Sequence, residues 1–286
     1  MGTVLVTGAS RGIGLATCVS LARAGHRVVG TMRSPEGAPE LAEIAESESL
    51  PITVAAIDVD SDLSVRDGIG RVLSEHGALD ALVNNAGIER RGTVEELDLA
   101  EFRAVMETNY FGAIRCMQAV LPGMRTRGKG CIVNVASVAG RIASSPLGPY
   151  CASKFALEAI SEALAQEVRA LGIRVAIVEP GIIDTDMARA ISTDTSGSTY
   201  PQGRRFAGMF TAALGNPTGP GLVADRIRDI IEDDSAGLRH PVGPDAIPFL
   251  EWRAAMTDEQ WIEWAAVDDE AWYSALESDF GLDART

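Results

Sequence analysis

A tyrosine and a lysine four positions apart, Tyr150 and Lys154, are the residues of this sequence best suited to acid–base chemistry. At this spacing in a helix they share one face, displaced by about 6 Å along the axis. A phenol normally loses its proton near pH 10, and a neighbouring ammonium favours the phenolate. Lowering the pKa of the phenol to about 7 takes about 4 kcal/mol, more than one lysine supplies. We therefore expect a bound cationic cofactor beside the pair.

The lysine content distinguishes this pair from an ordinary Tyr–Lys pair on a helix surface. Of the 25 basic residues, only Lys129 and Lys154 are lysines. A chain that uses arginine for nearly all of its positive charge keeps a lysine where a compact ammonium is required. Since such pairs are common on helices, the rest of the chain has to decide between the two interpretations.

Alternating strands and helices must position these residues. Short apolar runs predict strands near 3–6, 27–31, 52–57, 79–83, 131–135, 174–178 and 238–242. Segments of helical periodicity lie near 13–23, 41–48, 65–75, 95–107, 109–126, 151–171 and 222–231. The alternation predicts an α/β, Rossmann-type fold, in which a doubly wound, mostly parallel sheet of about seven strands has helices on both faces.

The chain is predicted to divide after residue 243. Residues 1–243 form the α/β body, in which 184–220 is rich in Ser, Thr, Gly and Pro and is expected to be a long functional loop. Residues 244–286 form an acidic, helical extension that holds all four tryptophans, with a capping-box start at Thr257. The extension either packs on the body as ordinary surface or acts as a lid or subunit contact.

Composition argues against several classes of protein. The net charge is −15, and eleven acidic residues face two arginines from residue 245 onward, so we expect no nucleic-acid partner. No apolar run reaches about 20 residues and no signal peptide is evident, so we expect no membrane span. The four cysteines form no CxxC pair, which indicates reduced thiols in a cytoplasmic protein. We expect no metal site.

A glycine-rich turn follows the first strand, in the segment 7–14. Glycines between a strand and a helix permit a tight turn and close approach of a pyrophosphate, which the helix N-terminus favours. The same residues match a nucleophile elbow around Ser10, for which His240 would have to be the base. His240 lies in a predicted strand, and an elbow on the first strand lacks the strands that normally precede it, so we set the hydrolase aside. The segment 123–129 imitates a P-loop but follows a helix and lacks the final Ser or Thr.

Polar and glycine residues cluster at the ends of the other predicted strands. Asn85 and Gly87 follow the fourth strand, Ser137 the fifth, and Thr185 the sixth. Asn109 begins the second of the two predicted helices after the fourth strand. Doubly wound sheets bind their ligands at the carboxyl ends of parallel strands, so these residues are expected to meet Tyr150 and Lys154 at one site.

Together these motifs resemble the short-chain dehydrogenase/reductase family over roughly residues 3–243. The run 150–158, Tyr-Cys-Ala-Ser-Lys-Phe-Ala-Leu-Glu, is most similar to the branch of 17β-hydroxysteroid and retinol dehydrogenases. The extension after Gly243 matches no motif of the family. The resemblance implies an oxidoreductase that interconverts a ketone or aldehyde and an alcohol with a nicotinamide dinucleotide. The alternative is a protein of the same fold that binds the dinucleotide as a sensor or scaffold without turnover.

The resemblance also implies roles for the matching positions. Tyr150 would be the general acid/base, and Ser137 would hydrogen-bond the reacting oxygen. Lys154 would lower the pKa of the tyrosine and hold the nicotinamide ribose, and Asn109 would position a water in the proton relay. The cofactor would contact the pyrophosphate turn, the adenosine side and the carboxamide side, at Gly8, Ser10, Arg11, Gly12, Ile13, Gly14, Arg33, Asp58, Asn85, Gly87, Tyr150, Lys154, Pro180, Gly181, Ile183 and Thr185.

The charge at the end of the second strand predicts the type of cofactor. An NAD site usually has an acid there, on the ribose hydroxyls. Here the strand ends in Thr31-Met32-Arg33-Ser34, with no acid before Glu36. Arg11 and Arg33 could bind a 2′-phosphate. We therefore expect NADP(H) to be preferred, with NAD(H) possible.

The substrate and the assembly are predicted in less detail. Apolar residues near the site favour an apolar carbonyl or alcohol, bound by Ile142, Met187, Phe206 and Phe210, with Ile183 beside them. The family resemblance implies a homodimer or homotetramer built on the long helices near 109–126 and 151–171.

Overall fold

One parallel sheet organises the chain, in a computed structural model that describes residues 1–193 and 197–285. Its strands are β1 (Thr3–Thr7), β2 (Arg27–Met32), β3 (Ile52–Ala56), β4 (Ala81–Asn84), β5 (Gly130–Val135), β6 (Ile173–Pro180) and β7 (Arg239–Val242). Their order is β3-β2-β1-β4-β5-β6-β7, and every neighbouring pair is parallel. The strand order reverses between β1 and β4, which places a ligand crevice at their carboxyl ends. The predicted Rossmann-type fold is confirmed.

Helices cover both faces of the sheet and continue beyond it. In the described ranges they are α1 (Gly12–Arg23), α2 (Glu40–Ser47), α3 (Asp62–His76), α4 (Leu99–Met106), α5 (Gly112–Arg127), α6 (Gly148–Val168), α7 (Asp186–Ser192), α8 (Gln202–Leu214), α9 (Gly221–Glu232), α10 (Ala246–Ala254), α11 (Asp258–Ala266) and α12 (Asp269–Phe280). Successive side chains of a strand point to opposite faces. Val4 and Val6 accordingly join a core with α1, α2 and α9, whereas Leu5 joins one with α3, α5 and α6.

The segment 184–220 is not the long loop that the sequence predicted, because it contains α7 and α8. Thr185 caps α7 by accepting a hydrogen bond from the Ala188 amide at 3.3 Å. Phe206 and Phe210 lie one turn apart on α8 with ring centroids 5.1 Å apart. Packing of these aromatic residues stabilises helices that the local composition disfavours. Positions 194–196 of the predicted loop lie outside the described residues.

Helix α4 begins at Leu99 rather than near residue 95. Glu95 and Glu96 precede it in a turn, where their carboxylates accept hydrogen bonds from the segment 198–200. The backbone of this turn is closed locally, by hydrogen bonds from the amides of Glu96 and Leu97 to the Thr93 carbonyl. A π-helical segment over Glu107–Phe111 then joins α4 to α5, where two separate helices were predicted.

The C-terminal extension is helical, as predicted, with one helix more than the sequence indicated. Helix α11 has the capping box at Thr257 and Gln260. Asp268 caps α12 by accepting a hydrogen bond from the Ala271 amide at 2.9 Å. Helix α10, directly after β7, was not predicted. The domain boundary at residue 243 stays a prediction.

All four cysteines are free and buried, as expected of reduced thiols. Burial raises the pKa of Cys116 to about 12 and that of Cys131 to about 11. These thiols stay protonated near neutral pH and are therefore poor nucleophiles. Among the described residues, no helix combines the length and apolar character needed to cross a bilayer.

Candidate active site

One cavity of about 450 Å³ runs along the carboxyl ends of the strands, from the glycine turn to the C-terminal extension. Nearly all of the predicted site residues line it. They are Gly8, Ser10, Arg11, Gly12, Ile13, Arg33, Asp58, Asn85, Gly87, Ser137, Ile142, Tyr150, Lys154, Pro180, Gly181, Ile183, Thr185, Met187, Phe206 and Phe210. The predicted residues Gly14 and Asn109 do not line the cavity but contact residues that do. The topology thus brings together residues that are far apart in the sequence.

The glycine turn has the geometry required for a phosphate group. Gly8 and Gly12 adopt φ values of +66° and +55°, which glycine tolerates best. A Cβ on Gly14 would lie 2.2 Å from the carbonyl oxygen of Gly8, so only glycine fits there. Arg11 precedes α1 without a side-chain cap. The first amides of α1 therefore remain available to an anion.

Asn85 holds the glycine turn from the neighbouring strand. Its Nδ2 donates to the carbonyl oxygens of Thr7, at 2.9 Å, and Gly8, at 3.1 Å. Its own amide donates to the Thr7 hydroxyl at 3.0 Å. Asn85 therefore fixes the shape of the turn that would receive the pyrophosphate.

Ser137, Tyr150 and Lys154 meet where β5 ends and α6 begins. The Ser137 hydroxyl accepts a hydrogen bond from the Ala139 amide at 3.1 Å and donates to the Pro180 carbonyl at 3.3 Å. Lys154 is buried, and its Nζ donates to the Val135 carbonyl at 2.8 Å. The same Nζ lies 5.6 Å from the centroid of the Tyr150 ring. An acid, a hydroxyl and a cation are thereby held around one corner of the cavity.

Burial controls the protonation of this corner. It raises the pKa of Tyr150 above the usual value of a phenol, and the Ser137 hydroxyl opposes this effect. Burial lowers the pKa of Lys154 to about 8, while the neighbouring Glu158 opposes that change. Burial therefore outweighs the hydrogen bond that favours the phenolate, and a second positive charge beside Tyr150 stays an expectation.

Asn109 lies in the π-helical segment and is 1% exposed. Its Oδ1 accepts from the Ile88 amide at 2.8 Å, and its Nδ2 donates to the Ile88 carbonyl and to the Ser153 hydroxyl, both at 2.9 Å. Both amide hydrogens are thus used by the protein. The side chain ties the loop after β4 to α6, and π-helical insertions often occur at functional sites.

Two arginines and three aspartates stand at the opposite end of the cavity. Arg11 is exposed and lies 3.3 Å from Asp186. Arg33 is exposed, at the end of β2. Asp58 lines the same region, whereas Glu36, the first acid after β2, does not. A ligand at this end of the cavity, beyond the end of β2, would therefore find guanidinium groups.

The C-terminal extension supplies one wall of the cavity, where the sequence left open packing on the body, a lid or a subunit contact. Trp252, Trp261, Trp264 and Trp272 all line it, together with Phe249. The ring centroids of Trp252 and Trp264 are 4.8 Å apart, and Trp261 is nearly parallel to Trp264 at 5.3 Å. The signal in the sequence was the concentration of all tryptophans in one segment. What it did not reveal is the place in the fold where that segment packs.

Polar contacts of Trp261 and Arg205 help to attach this wall to the body. The Trp261 indole donates to the Ala143 carbonyl at 3.1 Å. Arg205 of α8 is buried, and its guanidinium donates to Asp269 at 2.8 Å and to the carbonyls of Ala265 and Val267. Arg205 thus bridges α8 and the link between α11 and α12.

We expect Arg205→Met to loosen the C-terminal wall. The change removes three hydrogen bonds from a buried cation, each contributing about 1.5–3 kcal/mol, part of which is recovered through hydration. We therefore expect a loss of about 2 kcal/mol in the free energy of unfolding and faster proteolysis after residue 243. Arg204→Met is the matched control, because Arg204 is exposed and contacts the same Asp269. Equal effects of both changes would contradict an anchoring role for Arg205.

The other nucleophile that the sequence suggested, Ser10, lines the cavity but has no histidine beside it among the described residues that do so. His240 lies in β7, where its Nε2 is 2.8 Å from the Gly237 carbonyl. The P-loop-like segment 123–129 lies mostly within α5. Neither arrangement supports hydrolase or P-loop chemistry.

Comparisons with known proteins agree with this geometry. A family profile described as short chain dehydrogenase matches residues 2–196. The uncharacterized oxidoreductase YusZ of Bacillus subtilis (strain 168) is 35% identical over 272 residues, covering 92% of this chain and 95% of the relative. Human retinol dehydrogenase 8 is 41% identical over 204 residues, which are 70% of this chain and 64% of its own length. The match to the Bacillus protein extends past Gly243, where the sequence itself matched no motif.

Solved structures resemble the chain over most of its length. A short-chain dehydrogenase from Streptomyces avermitilis superposes with a TM-score of 0.78 at 32% identity, covering 93% of this chain and 97% of that one. A gluconate 5-dehydrogenase from Burkholderia cenocepacia, in complex with NADP and tartrate, gives 0.74 at 28% identity, with coverages of 86% and 95%. With its parallel sheet, glycine turn and Tyr–Lys corner, the chain belongs to the short-chain dehydrogenase family, whose members are oxidoreductases acting on CH–OH groups.

Proposed function

We propose that this protein is an NADP(H)-dependent oxidoreductase that interconverts a bulky apolar ketone or aldehyde and its alcohol, with Tyr150 as the general acid/base. The observation that carries the proposal is the continuity of one cavity. It joins a phosphate-type glycine turn at one end, Tyr150 with Lys154 in the middle and an aromatic wall at the other. A cofactor and an apolar substrate in this cavity would meet at the tyrosine.

The residues present fit the dinucleotide. The turn at Gly8 and Gly12 would receive the pyrophosphate on the free amides of α1. An ideal Cβ on Gly87 would lie 3.8 Å from the Nζ of Lys154, so the glycine leaves room there for a ribose. Thr185 lies beside the turn, with its Cγ2 3.4 Å from the position of a Cβ on Gly12. When bound, the cofactor supplies or accepts the hydride, and in its oxidised form it adds a second positive charge, which favours the phenolate.

The remaining roles belong to side chains of the chain itself. The Tyr150 hydroxyl would donate a proton to the carbonyl oxygen during reduction and take it back during oxidation. The Ser137 hydroxyl would hydrogen-bond the same oxygen as its negative charge develops. Lys154 would hold the ribose hydroxyls and favour the phenolate. Asn109 would fix α6 against the loop after β4. Because both hydrogens of its side-chain amide are already used, its backbone would be the part that contacts a relay water.

Charge supports the preference for NADP(H). Arg11 and Arg33 are exposed at the adenosine end of the cavity, where guanidinium groups bind phosphate bidentately. The first acid after β2, Glu36, is outside the cavity lining. The similar gluconate 5-dehydrogenase was solved with NADP. NAD(H) remains a possible weaker cofactor.

The walls support a bulky, apolar substrate. Ile142, Met187, Phe206 and Phe210 line the cavity as predicted, and the tryptophans of the extension face the same space. Flat aromatic walls favour planar ligands. Within the described residues, the buried Nε1 of Trp264 and Oε1 of Gln202 have no hydrogen-bond partner. They would suit a polar substituent remote from the reacting carbon.

The first test is a fluorescence titration of the purified protein with NADPH and, separately, with NADH, followed by a screen of carbonyl compounds of graded size. We expect tighter binding of NADPH and faster reduction of bulky planar ketones than of small polar ones. If neither NADPH nor NADH bound to the protein, the proposal would be overturned. Tighter binding of NADH would overturn the cofactor preference alone.

We expect Trp252→Leu to lower kcat/KM for a bulky planar ketone by about tenfold, since an aromatic contact contributes about 0.5–1.5 kcal/mol beyond the area it buries. Activity on a small carbonyl should change little. Ile262→Ala on α11 is the control, because Ile262 is 67% exposed. The ratio of kcat/KM values for the two substrates is the measurement. An unchanged ratio would remove Trp252 from the substrate site.

We also propose a homodimer or homotetramer. Phe111 and Phe155, next to α5 and on α6, are 44% and 42% exposed. Exposed aromatic side chains on the two helices that the sequence predicted to associate support this assembly. Sedimentation of a monomer at micromolar concentration would contradict it.

A further inference from the structure

An aspartate at the start of the C-terminal extension has no role in the mechanism above. Asp245 lies between the end of β7 at Val242 and the start of α10 at Ala246. An aspartate in that place usually caps its own helix by accepting a hydrogen bond from one of the first amides. Asp245 makes no such side-chain bond to α10. Its carboxyl group binds another element instead.

The carboxyl group holds the segment that follows β6. Its Oδ2 accepts a hydrogen bond from the Ile182 amide at 2.7 Å. The amide of Gly181, the residue before, donates to the Val242 carbonyl at 2.9 Å. Hydrogen bonds to a carboxylate are stronger than those between neutral groups. The first two amides after β6 are therefore fixed by the end of β7 and by Asp245.

Two glycines leave the space that this carboxyl group occupies. An ideal Cβ on Gly181 would lie 2.2 Å from Oδ1 of Asp245, and one on Gly243 would lie 2.8 Å from the same atom. Gly243 also has a φ of +117°, which glycine tolerates best. Close packing at both residues leaves the side chain little freedom to move. The hydrogen bond to Ile182 therefore has a defined geometry.

The arrangement is less favourable than a cap on α10 would be. Oδ1 of Asp245 is buried and has no hydrogen-bond partner among the described residues, which is costly for a polar atom. Burial raises the pKa of Asp245, while the amides of Ile182 and of Asp245 itself oppose the rise. Proteins tolerate such local costs chiefly at functional sites. The contact with Ile182 is therefore better explained by a role in positioning than by stability.

Asp245 connects two parts of the cavity, although it lies outside the lining that the structure describes. Residues 181–183 line the cavity, and the Pro180 carbonyl before them accepts the hydrogen bond from Ser137. Helix α10, on the other side of Asp245, carries Trp252 of the aromatic wall. The segment is thus held by Ser137 at its start and by Asp245 from behind.

We propose that Asp245 is a positioning residue that fixes the segment 181–183 relative to α10, and that it thereby sets how tightly the cavity holds the nicotinamide half of the cofactor. The segment leads directly to Thr185, which is expected on the carboxamide side of the cofactor. The effect on the cofactor rests on the proposed function, but the fixing of the segment does not. The two can therefore be tested separately.

Hydrogen exchange tests the fixing of the segment without a cofactor. We expect the Ile182 amide to exchange about tenfold faster in Asp245→Ala than in wild type, because it loses its acceptor. Asp268→Ala is the matched control, since Asp268 also binds one backbone amide of the extension but lies outside the described cavity lining. Exchange at Ile182 should not change in this control. Unchanged exchange in Asp245→Ala, measured by NMR on the full chain, would overturn the proposal.

Calorimetry with NADP⁺ and, separately, with adenosine 2′,5′-bisphosphate tests the effect on the cofactor. The second ligand ends at the adenosine and has no nicotinamide. We expect Asp245→Ala to raise the Kd of NADP⁺ about tenfold, the order of one lost charge-assisted hydrogen bond, and to leave the Kd of the bisphosphate within about twofold of wild type. A merely structural role would raise both constants together. An unchanged ratio of the two constants would therefore contradict positioning by Asp245.

A conservative variant tests whether the accepted hydrogen bond is the cause. Asp245→Asn keeps an acceptor for the Ile182 amide, so the exchange rate and the Kd of NADP⁺ should both stay close to the wild-type values. If Asp245→Asn behaved like Asp245→Ala, positioning through this hydrogen bond would be wrong. Should Asp245→Ala fail to fold, Asp245→Ser takes its place, because serine can cap α10 but has a shorter side chain than aspartate.

The outcomes distinguish this proposal from the proposed function. If exchange at Ile182 responds as expected but wild type binds neither NADP⁺ nor the bisphosphate, the proposed function fails together with the effect on the cofactor, and the fixing of the segment stands. If wild type binds NADP⁺ and Asp245→Ala binds it equally well, the proposed function stands and the role of Asp245 toward the cofactor is overturned.

Discussion

Replacing Tyr150 by phenylalanine is expected to lower kcat by about 10²- to 10⁴-fold, the usual contribution of a positioned general acid. The substitution keeps the ring and its packing and removes only the hydroxyl. Lys154 would still bind the Val135 carbonyl and remain available to the ribose. We therefore expect the dissociation constant for NADPH to stay within about twofold of the wild-type value.

Cofactor titration and steady-state kinetics on the same preparation test this expectation. Tyr200→Phe serves as the control, since Tyr200 is 38% exposed and contacts Glu95 instead of the cavity. If Tyr150→Phe kept more than about a tenth of the wild-type kcat, another group would have to be the acid. If wild type and variant bound NADPH equally but neither reduced any carbonyl, the non-catalytic sensor or scaffold would become the better hypothesis.

Arg33→Ala is expected to lower the preference for NADPH over NADH by about 10- to 100-fold. A charge-assisted hydrogen bond contributes about 1.5–3 kcal/mol, and each 1.4 kcal/mol corresponds to a factor of ten. NADH lacks the 2′-phosphate, so its kcat/KM should change little. The loss should also shrink at high salt, because exposed charges are screened.

The measurement is the ratio of kcat/KM for the two cofactors, in wild type, Arg33→Ala and Arg11→Ala. Arg66→Ala is a suitable control, since Arg66 is exposed on α3 and forms an ion pair with Asp67, away from the cavity. An unchanged ratio in Arg33→Ala would show that this arginine does not select the cofactor. A change in Arg11→Ala alone would place the 2′-phosphate nearer to the N-terminus of α1.

The fold and most of the candidate site could be predicted because they depend on local rules. Tyr150 and Lys154 share a face since a helix fixes the geometry of residues four apart. Asn85 and Ser137 line the same cavity because parallel strands end at one edge of the sheet. Each of these inferences uses spacing within a single element, or an alternation of elements that allows few topologies.

Features that depend on distant contacts could not be predicted. Helices α7 and α8 are stabilised by packing. The Gly- and Ser-rich composition around them is typical of loops, so the sequence did not indicate helices there. The hydrogen bond between Arg205 and Asp269 joins positions 64 apart in the chain, and no local sequence pattern predicts it. For the same reason the tryptophans were recognised as a cluster but not as a wall of the cavity.

The placement of every tryptophan in one wall gives the protein an unusual optical property. Indole emission depends on the polarity and contacts around each ring, so it reports on the C-terminal extension, while the sheet and helices α1–α9 contain no tryptophan. Far-ultraviolet circular dichroism, in contrast, follows the whole backbone. If the extension detaches before the body unfolds, the two signals change at different urea concentrations, and one two-state free energy no longer describes the protein. Coincident curves would mean that the wall and the sheet unfold as one cooperative unit.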